Sequence, residues 1–204
     1  MVDETGEFNH WKTKDHYCIS KYLGEVEVKK FVEKGLPAVI ANPTIMIGEY
    51  DRKPTPSGML ILDVAAQRMP GYIEGGSNII DVEDAARGHI LAAKKGRVGE
   101  RYILGNENMT ITEYFELIAD VAGVKPPRIK IPYPLAVVTG HLYELSAFIT
   151  KKPPAFTASE VRIGKLYEWY DNSKAIRELG LPQTPVKEPI RKALNWFKEN
   201  GYMQ

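Results

Sequence analysis

Short apolar runs and longer mixed stretches alternate through the first half of the chain. Residues 1 to about 14 are polar and predict a loop. A helix follows from about Asp15 to Glu33, with Gly35 just past its end as a stop. Leu36 to Ala41 is a short, wholly apolar run between Gly35 and Pro43. Its length and its bounding residues predict a strand buried on both faces, as in a parallel sheet. Asn42-Pro43 ends that strand, because proline donates nothing to a ladder and restrains the residue before it. Prolines mark Asp51 to Gly58 as a loop, and a helix runs on through Met69 to a stop at Pro70-Gly71. Asn78 to Val82 reads as a strand, and Asp81 is placed to cap a helix that ends at Gly96. Arg101 to Leu104 is another short apolar strand.

The second half is mostly helical with proline-rich connections. Thr110 and Glu113 form a capping box before a helix through Val121, closed by Gly123, and Thr157 and Glu160 repeat that signature. Trp169 to Asp171 reads as a strand, and Ser173 as the cap of a short helix stopped at Gly180. Thr184-Pro185 opens a last helix ending near Asn200-Gly201. The longest apolar stretch, Leu135 to Ile149, is interrupted by His141 and Glu144. It is too polar for a membrane span, which leaves an interfacial contact open. Strands alternating with helices predict an α/β architecture.

Composition narrows the function classes. The chain has 204 residues, 44% hydrophobic and 26% charged, the profile of an ordinary globular protein of one or two domains. A net charge of +1 gives no electrostatic footprint for DNA, RNA or an anionic membrane. The short pairs Lys29-Lys30, Lys94-Lys95 and Lys151-Lys152 read as solvated helix faces. A single cysteine, Cys18, excludes an internal disulfide and a cysteine metal cluster, and a cytoplasmic setting is the expectation. Cys18 reads as a packing residue, with a reactive thiol as the alternative. The four histidines lack metal-ligand spacing, so no metal is expected.

Tyr17 and Lys21 stand one helical turn apart, which sets both side chains on one face. An ammonium beside a phenol favours the phenolate, so the pair can move a proton near neutral pH. By itself the spacing also fits an ordinary surface pair.

Several segments resemble, in order, the extended short-chain dehydrogenase/reductases of the NAD-dependent epimerase/dehydratase group. Tyr17-x-x-Ser20-Lys21 matches that family's catalytic helix. Leu36 to Thr44 resembles the following strand and the turn beneath the nicotinamide, with Ile47-Gly48 and Asp51 beyond it. Ile80 to Ala86, Gly99 to Gly105, Asp171 to Ala175 and Glu178 to Gly180 resemble later family segments. Lys53 to Gly58 and Gly99 to Asn108 carry a narrower likeness to dihydroflavonol-reductase-like members, closest to the hopanoid-associated sugar epimerases.

The resemblance implies the C-terminal part of a Rossmann-type doubly wound parallel sheet in residues 1–108. A smaller, mostly helical substrate-binding region is implied in 109–204. It gives Tyr17 the role of general acid/base, and Lys21 that of lowering the tyrosine pKa and holding the nicotinamide ribose. Pro43, Thr44 and Ile45 would contact the cofactor, NAD or NADP, and Asn42 and Asp51 would face substrate. The implied substrate is a sugar nucleotide or a related hydroxyl/carbonyl compound. No G-x-x-G-x-x-G or G-x-G-x-x-G turn for a pyrophosphate occurs in the chain. The family's serine or threonine is expected well upstream of the tyrosine, and Thr5 and Thr13 stand too close. Val2 to Thr5 resembles the loop just after that serine, so the chain reads as the C-terminal portion of a reductase or epimerase. Two expectations follow: a fragment of an NAD(P)-dependent enzyme, or a non-catalytic module or split-enzyme half that needs an N-terminal partner. A homodimer is a further expectation. No nucleic acid and no membrane span are expected.

Overall fold

The computed structural model describes residues 1–9, 11, 15–151, 154 and 156–203. His10 and Thr13, in the opening stretch, and Lys152 lie outside the described residues. Helix α1 (His16–Glu33) begins where the Asp15 carboxylate accepts the Cys18 N–H at 2.7 Å, satisfying one of the free donors of the first turn. None of its residues is fully buried. The chain leaves it through Gly35, whose φ of 99° suits a residue without a side chain.

β1 (Ile40–Pro43) starts later than the apolar run does. The Leu36 N–H turns back to the Phe31 carbonyl at 2.9 Å, so the first residues of the run finish the helix instead of entering the ladder. β2 (Ile45–Ile47) follows at once across Thr44. Proline does end the first ladder, but the chain then crosses to another strand, a switch no local signal announced. α2 (Pro56–Ala65) leads to β3 (Gly76–Asp81) and α3 (Val82–Lys95). Asp81 caps α3 by accepting the Glu83 N–H at 2.8 Å. Acids in its first turn and lysines in its last complement the helix dipole.

β4 (Arg101–Leu104) pairs in parallel with β1, from Ile40↔Arg101 to Pro43↔Leu104. β5 (Glu107–Thr110) runs antiparallel to β3, while β2 runs parallel to it. The capping boxes at Thr110 and Thr157 open α4 (Ile111–Ala122) and α6 (Ala158–Gly164) as expected. Between them the interrupted apolar stretch forms one helix, α5 (Tyr133–Thr150). β6 (Tyr167–Glu168) joins β3 two residues before the expected strand, and Tyr170 bridges Val2 instead. Ser173 makes no side-chain cap on the next segment; ahead of it the Asp171 carboxylate accepts the Ser173 N–H at 2.9 Å, two residues on. That segment is a π-type turn over Ala175–Leu179. The last helix, α7 (Lys187–Glu199), starts after Thr184-Pro185. Distant carboxylates receive the preceding N–H groups, Asp84 that of Thr184 at 2.7 Å and Glu107 that of Val186 at 2.9 Å.

Two cores divide the work. Ile61, Val64, Phe115, Ile118, Ile190 and Phe197 pack α2, α4 and α7 together beside β2 and β3. Ile80, Ala85, Tyr102, Leu104, Ala175 and Leu179 fill the space between the strands, α3 and the π-type turn. The outer edge of β4 is closed by side chains. The Ile103 N–H donates to Glu4 at 3.0 Å and the Lys174 ammonium donates to the Arg101 carbonyl at 2.9 Å. The second edge of β1 has no strand beside it among the described residues.

Candidate active site

The candidate residues lie on one exposed helix face and at one strand end. Tyr17 and Lys21 lie together as their spacing requires, with the Lys21 ammonium 5.3 Å from the centre of the Tyr17 ring. Tyr17 is 68% exposed, so both functional groups are free to meet a ligand. The Ser20 hydroxyl is spent locally, donating to the Tyr17 carbonyl at 2.8 Å.

The next residue of the same stripe, Glu25, was not singled out in the sequence. Its signal was there: positions 17, 21 and 25 recur every four residues. Glu25 is nearly buried and its carboxylate collects three donors. Lys29 lies at 2.8 Å and Arg101 at 3.1 Å on one oxygen, and the Asn42 amide donates at 3.2 Å to the other. Burial works against the charge, but Lys29, Arg101 and Asn42 outweigh it and hold the carboxyl below its ordinary value. Arg101 also donates to the carbonyls of Glu4 and Gly6, which ties the opening segment to the same knot.

Glu25 therefore couples the helix to the C-terminal end of β1. Asn42, the last residue but one of that strand, has its Oδ1 buried and without a hydrogen-bond partner. Pro43 faces Leu104 at the last rung of the β1–β4 ladder. Thr44 then links the two sheets: its N–H donates to the Leu104 carbonyl at 3.1 Å and its hydroxyl to Asn78 Oδ1 at 2.9 Å. Asn78 is 1% exposed, and its amide donates to Asn108 at 2.9 Å. A side chain at Gly105 would run within 2.5 Å of the same oxygen, so the crossing needs a glycine there. Ile45 opens β2 opposite Ile79 and remains partly exposed. Thr44 thus stands where the chain passes from the β1–β4 pair to the β2–β3 pair, at the C-terminal ends of β1 and β4, the ends at which α/β sheets bind ligands.

Asp51 stands apart from this group. Its carboxylate accepts both the N–H and the hydroxyl of Thr55 at 2.9 Å, ahead of α2. Cys18, beside Tyr17, is half-buried. Burial, then Asp15, pushes its thiol up to about 11. Tyr170 is pushed up to about 12 by burial, then by Glu168 and Cys18. No group of three or more metal-ligating side chains occurs among the described residues.

Parallel pairing of β1 with β4 and of β2 and β6 with β3, with helices packed against the strands, defines an α/β protein of the Rossmann type. The chain belongs to the NAD dependent epimerase/dehydratase family, whose model matches residues 2–105. It is 35% identical over 192 residues to a putative dihydroflavonol 4-reductase of Synechocystis, covering 92% of this chain and 56% of that protein. The chain thus spans about half the length of the curated relatives it matches. Among solved structures it resembles gox2253, with a TM-score of 0.83 and 37% identity over 100% of this chain and 62% of that one. A nucleoside-diphosphate-sugar epimerase from Pseudomonas aeruginosa has a TM-score of 0.79 and 27% identity, over 97% and 60% respectively.

Proposed function

We propose that this chain supplies the acid–base half of an NAD(P)-dependent epimerase, dehydratase or reductase site. The substrate would be a sugar nucleotide or a related hydroxyl/carbonyl compound. The observation that carries this reading is the stripe itself. Tyr17 and Lys21 stand free on the helix face whose third member, Glu25, is anchored to Asn42 at the end of β1.

The residues present fit the nicotinamide half of the cofactor. Lys21 would hold the ribose hydroxyls, the backbone of Pro43, Thr44 and Ile45 would lie against the ring, and the buried, unpartnered Oδ1 of Asn42 is an acceptor awaiting a donor. When bound, the nicotinamide supplies or accepts a hydride. Tyr17 takes the hydroxyl proton of the substrate as its carbon is oxidised, or returns a proton to the oxygen as a carbonyl is reduced. Lys21 favours the phenolate through its charge. Asn42 would orient substrate, and Asp51 would act one step removed, by shaping the loop ahead of α2.

A second reading has its own support. The open edge of β1 and the lack of any fully buried residue on α1 favour a chain that works with an N-terminal half, or as a homodimer through α1. In both readings the chain alone binds NADH or NADPH very weakly and turns nothing over. Titration of nucleotide fluorescence with the chain alone, and with a relative's N-terminal portion added, tests this. Low-micromolar binding by the chain alone would overturn the half-site reading. Binding that appears only with the N-terminal portion, together with hydride transfer lost in Tyr17→Phe, is the expected result. Restored binding without any turnover would favour the non-catalytic module.

A further inference from the structure

Helix α5 has two unlike faces. Its inner face packs on α6 through small residues: Ala136 and Gly140 are buried, and a side chain at Gly140 would meet the backbone of Ala158 at 2.7 Å. Glu144, the one Asp, Glu, Lys or Arg in the helix, is also committed inward. Its carboxylate accepts the Ala158 N–H at 2.9 Å and meets His141 at 2.9 Å. The outer face carries Leu135, Val138, Leu142, Leu145, Phe148 and Ile149, each between 56% and 74% exposed. Such a run is more than scattered surface apolarity and marks an interaction site.

Charge decides between occupants. Arg128 and Lys130 precede the helix, Lys130 paired with Glu74 at 3.2 Å; Lys165 lies 4.2 Å from the Tyr133 ring at its start, and Lys151 follows it, its ammonium 4.8 Å from the Phe148 ring. Both ends of the apolar stripe are basic. Any two-fold pairing of α5 with a second copy, parallel or antiparallel, sets a basic end against a basic end. A surface of anionic headgroups over acyl chains complements the ends and the middle together. From Leu135 to Ile149 the stripe is about 21 Å long, short of the roughly 30 Å of a hydrocarbon core. No helix among the described residues is long and apolar enough to cross a membrane.

We propose that α5 docks this chain onto an anionic lipid bilayer, lying in the plane of the surface with its outer face among the acyl chains. α6 takes the place of the charged face that an isolated interfacial helix carries. Co-sedimentation with vesicles tests this, using phosphatidylcholine alone or with about one third phosphatidylglycerol. The full chain is expected to bind the anionic vesicles at least about tenfold more tightly, and to weaken as salt is raised. Leu142→Glu with Phe148→Glu is expected to weaken binding at least about tenfold with the circular dichroism unchanged. Lys151→Glu is expected to weaken it on anionic vesicles only, which keeps the test informative if the double variant misfolds. Phe31→Glu, on the exposed face of α1, is expected to change nothing. Three results would overturn the proposal: no vesicle binding, equal binding to both lipids, or equal loss in Phe31→Glu. A dimer by light scattering that the double variant dissolves, without vesicle binding, would assign the face to a second copy instead.

Discussion

Removing the Glu25 carboxylate is the sharpest test of how the candidate site is held. Glu25→Gln keeps the volume but replaces a charge that holds two cations and one amide. A hydrogen bond to a charged group contributes about 1.5–3 kcal/mol, and orphaning a buried partner costs more. Two features moderate the loss. Lys29 is exposed and can turn to water, and Arg101 keeps the carbonyls of Glu4 and Gly6 as acceptors. The Arg101 contact and the Asn42 bond are therefore the terms that count, and the expected destabilisation at pH 7 is about 1.5–3 kcal/mol. The pH dependence has a definite sign. The folded carboxyl titrates below its ordinary value of 4.5, so its contribution is complete above that pH and fades as pH falls through the lowered folded value. Urea unfolding, followed by the fluorescence of the largely buried Trp196, should show the gap between wild type and Glu25→Gln at pH 7 narrowing in acid. A gap below about 0.5 kcal/mol at pH 7, or one that does not change in acid, would refute the reasoning.

Three further outcomes are expected. Tyr17→Phe and Lys21→Met should leave stability within about 0.5 kcal/mol by urea unfolding, both side chains being exposed, yet cut hydride transfer by about 100-fold or more in an assembly completed with an N-terminal portion. Asp51→Ala should cost about 1 kcal/mol by removing the acceptor of Thr55 ahead of α2, so a loss of activity with no loss of stability would instead make Asp51 a substrate contact. With its thiol pushed to about 11, Cys18 should react with iodoacetamide at pH 7 at least about 100-fold more slowly folded than in urea; comparable rates would show an ordinary thiol.

Local chemistry was legible in the sequence wherever a side chain acts on its own neighbourhood. Asp81, Thr110 and Thr157 cap the helices they were expected to cap, and Gly123 and Gly180 end theirs with φ of 70° and 76°. What failed to show depends on partners far along the chain. β1 begins at Ile40 because its partner begins at Arg101, sixty-one residues later. β5 reads Glu-Asn-Met-Thr, a polar run that becomes a strand because β3 offers an edge. α5 was masked by His141, Glu144 and its flanking prolines, because the inward roles of Glu144 depend on α6.

The same division explains the site. Tyr17 and Lys21 were legible because a helix turn suffices to join them. The Glu25–Asn42 bond was not, since it spans seventeen residues and two elements. That bond matters more than its length suggests. No residue of α1 is fully buried; Tyr22 stacks on Phe8 with ring centres 4.5 Å apart, and polar contacts hold the part of the helix that bears on the strand end. A helix so held gains disproportionately from any partner that covers it. Binding at a hundred times the dissociation constant adds about 2.7 kcal/mol, comparable to the whole Glu25 network. Binding of a partner over α1 and stabilisation of that helix should therefore arrive together. Glu25→Gln should then weaken assembly on the open side of β1 as well as the fold of the chain alone.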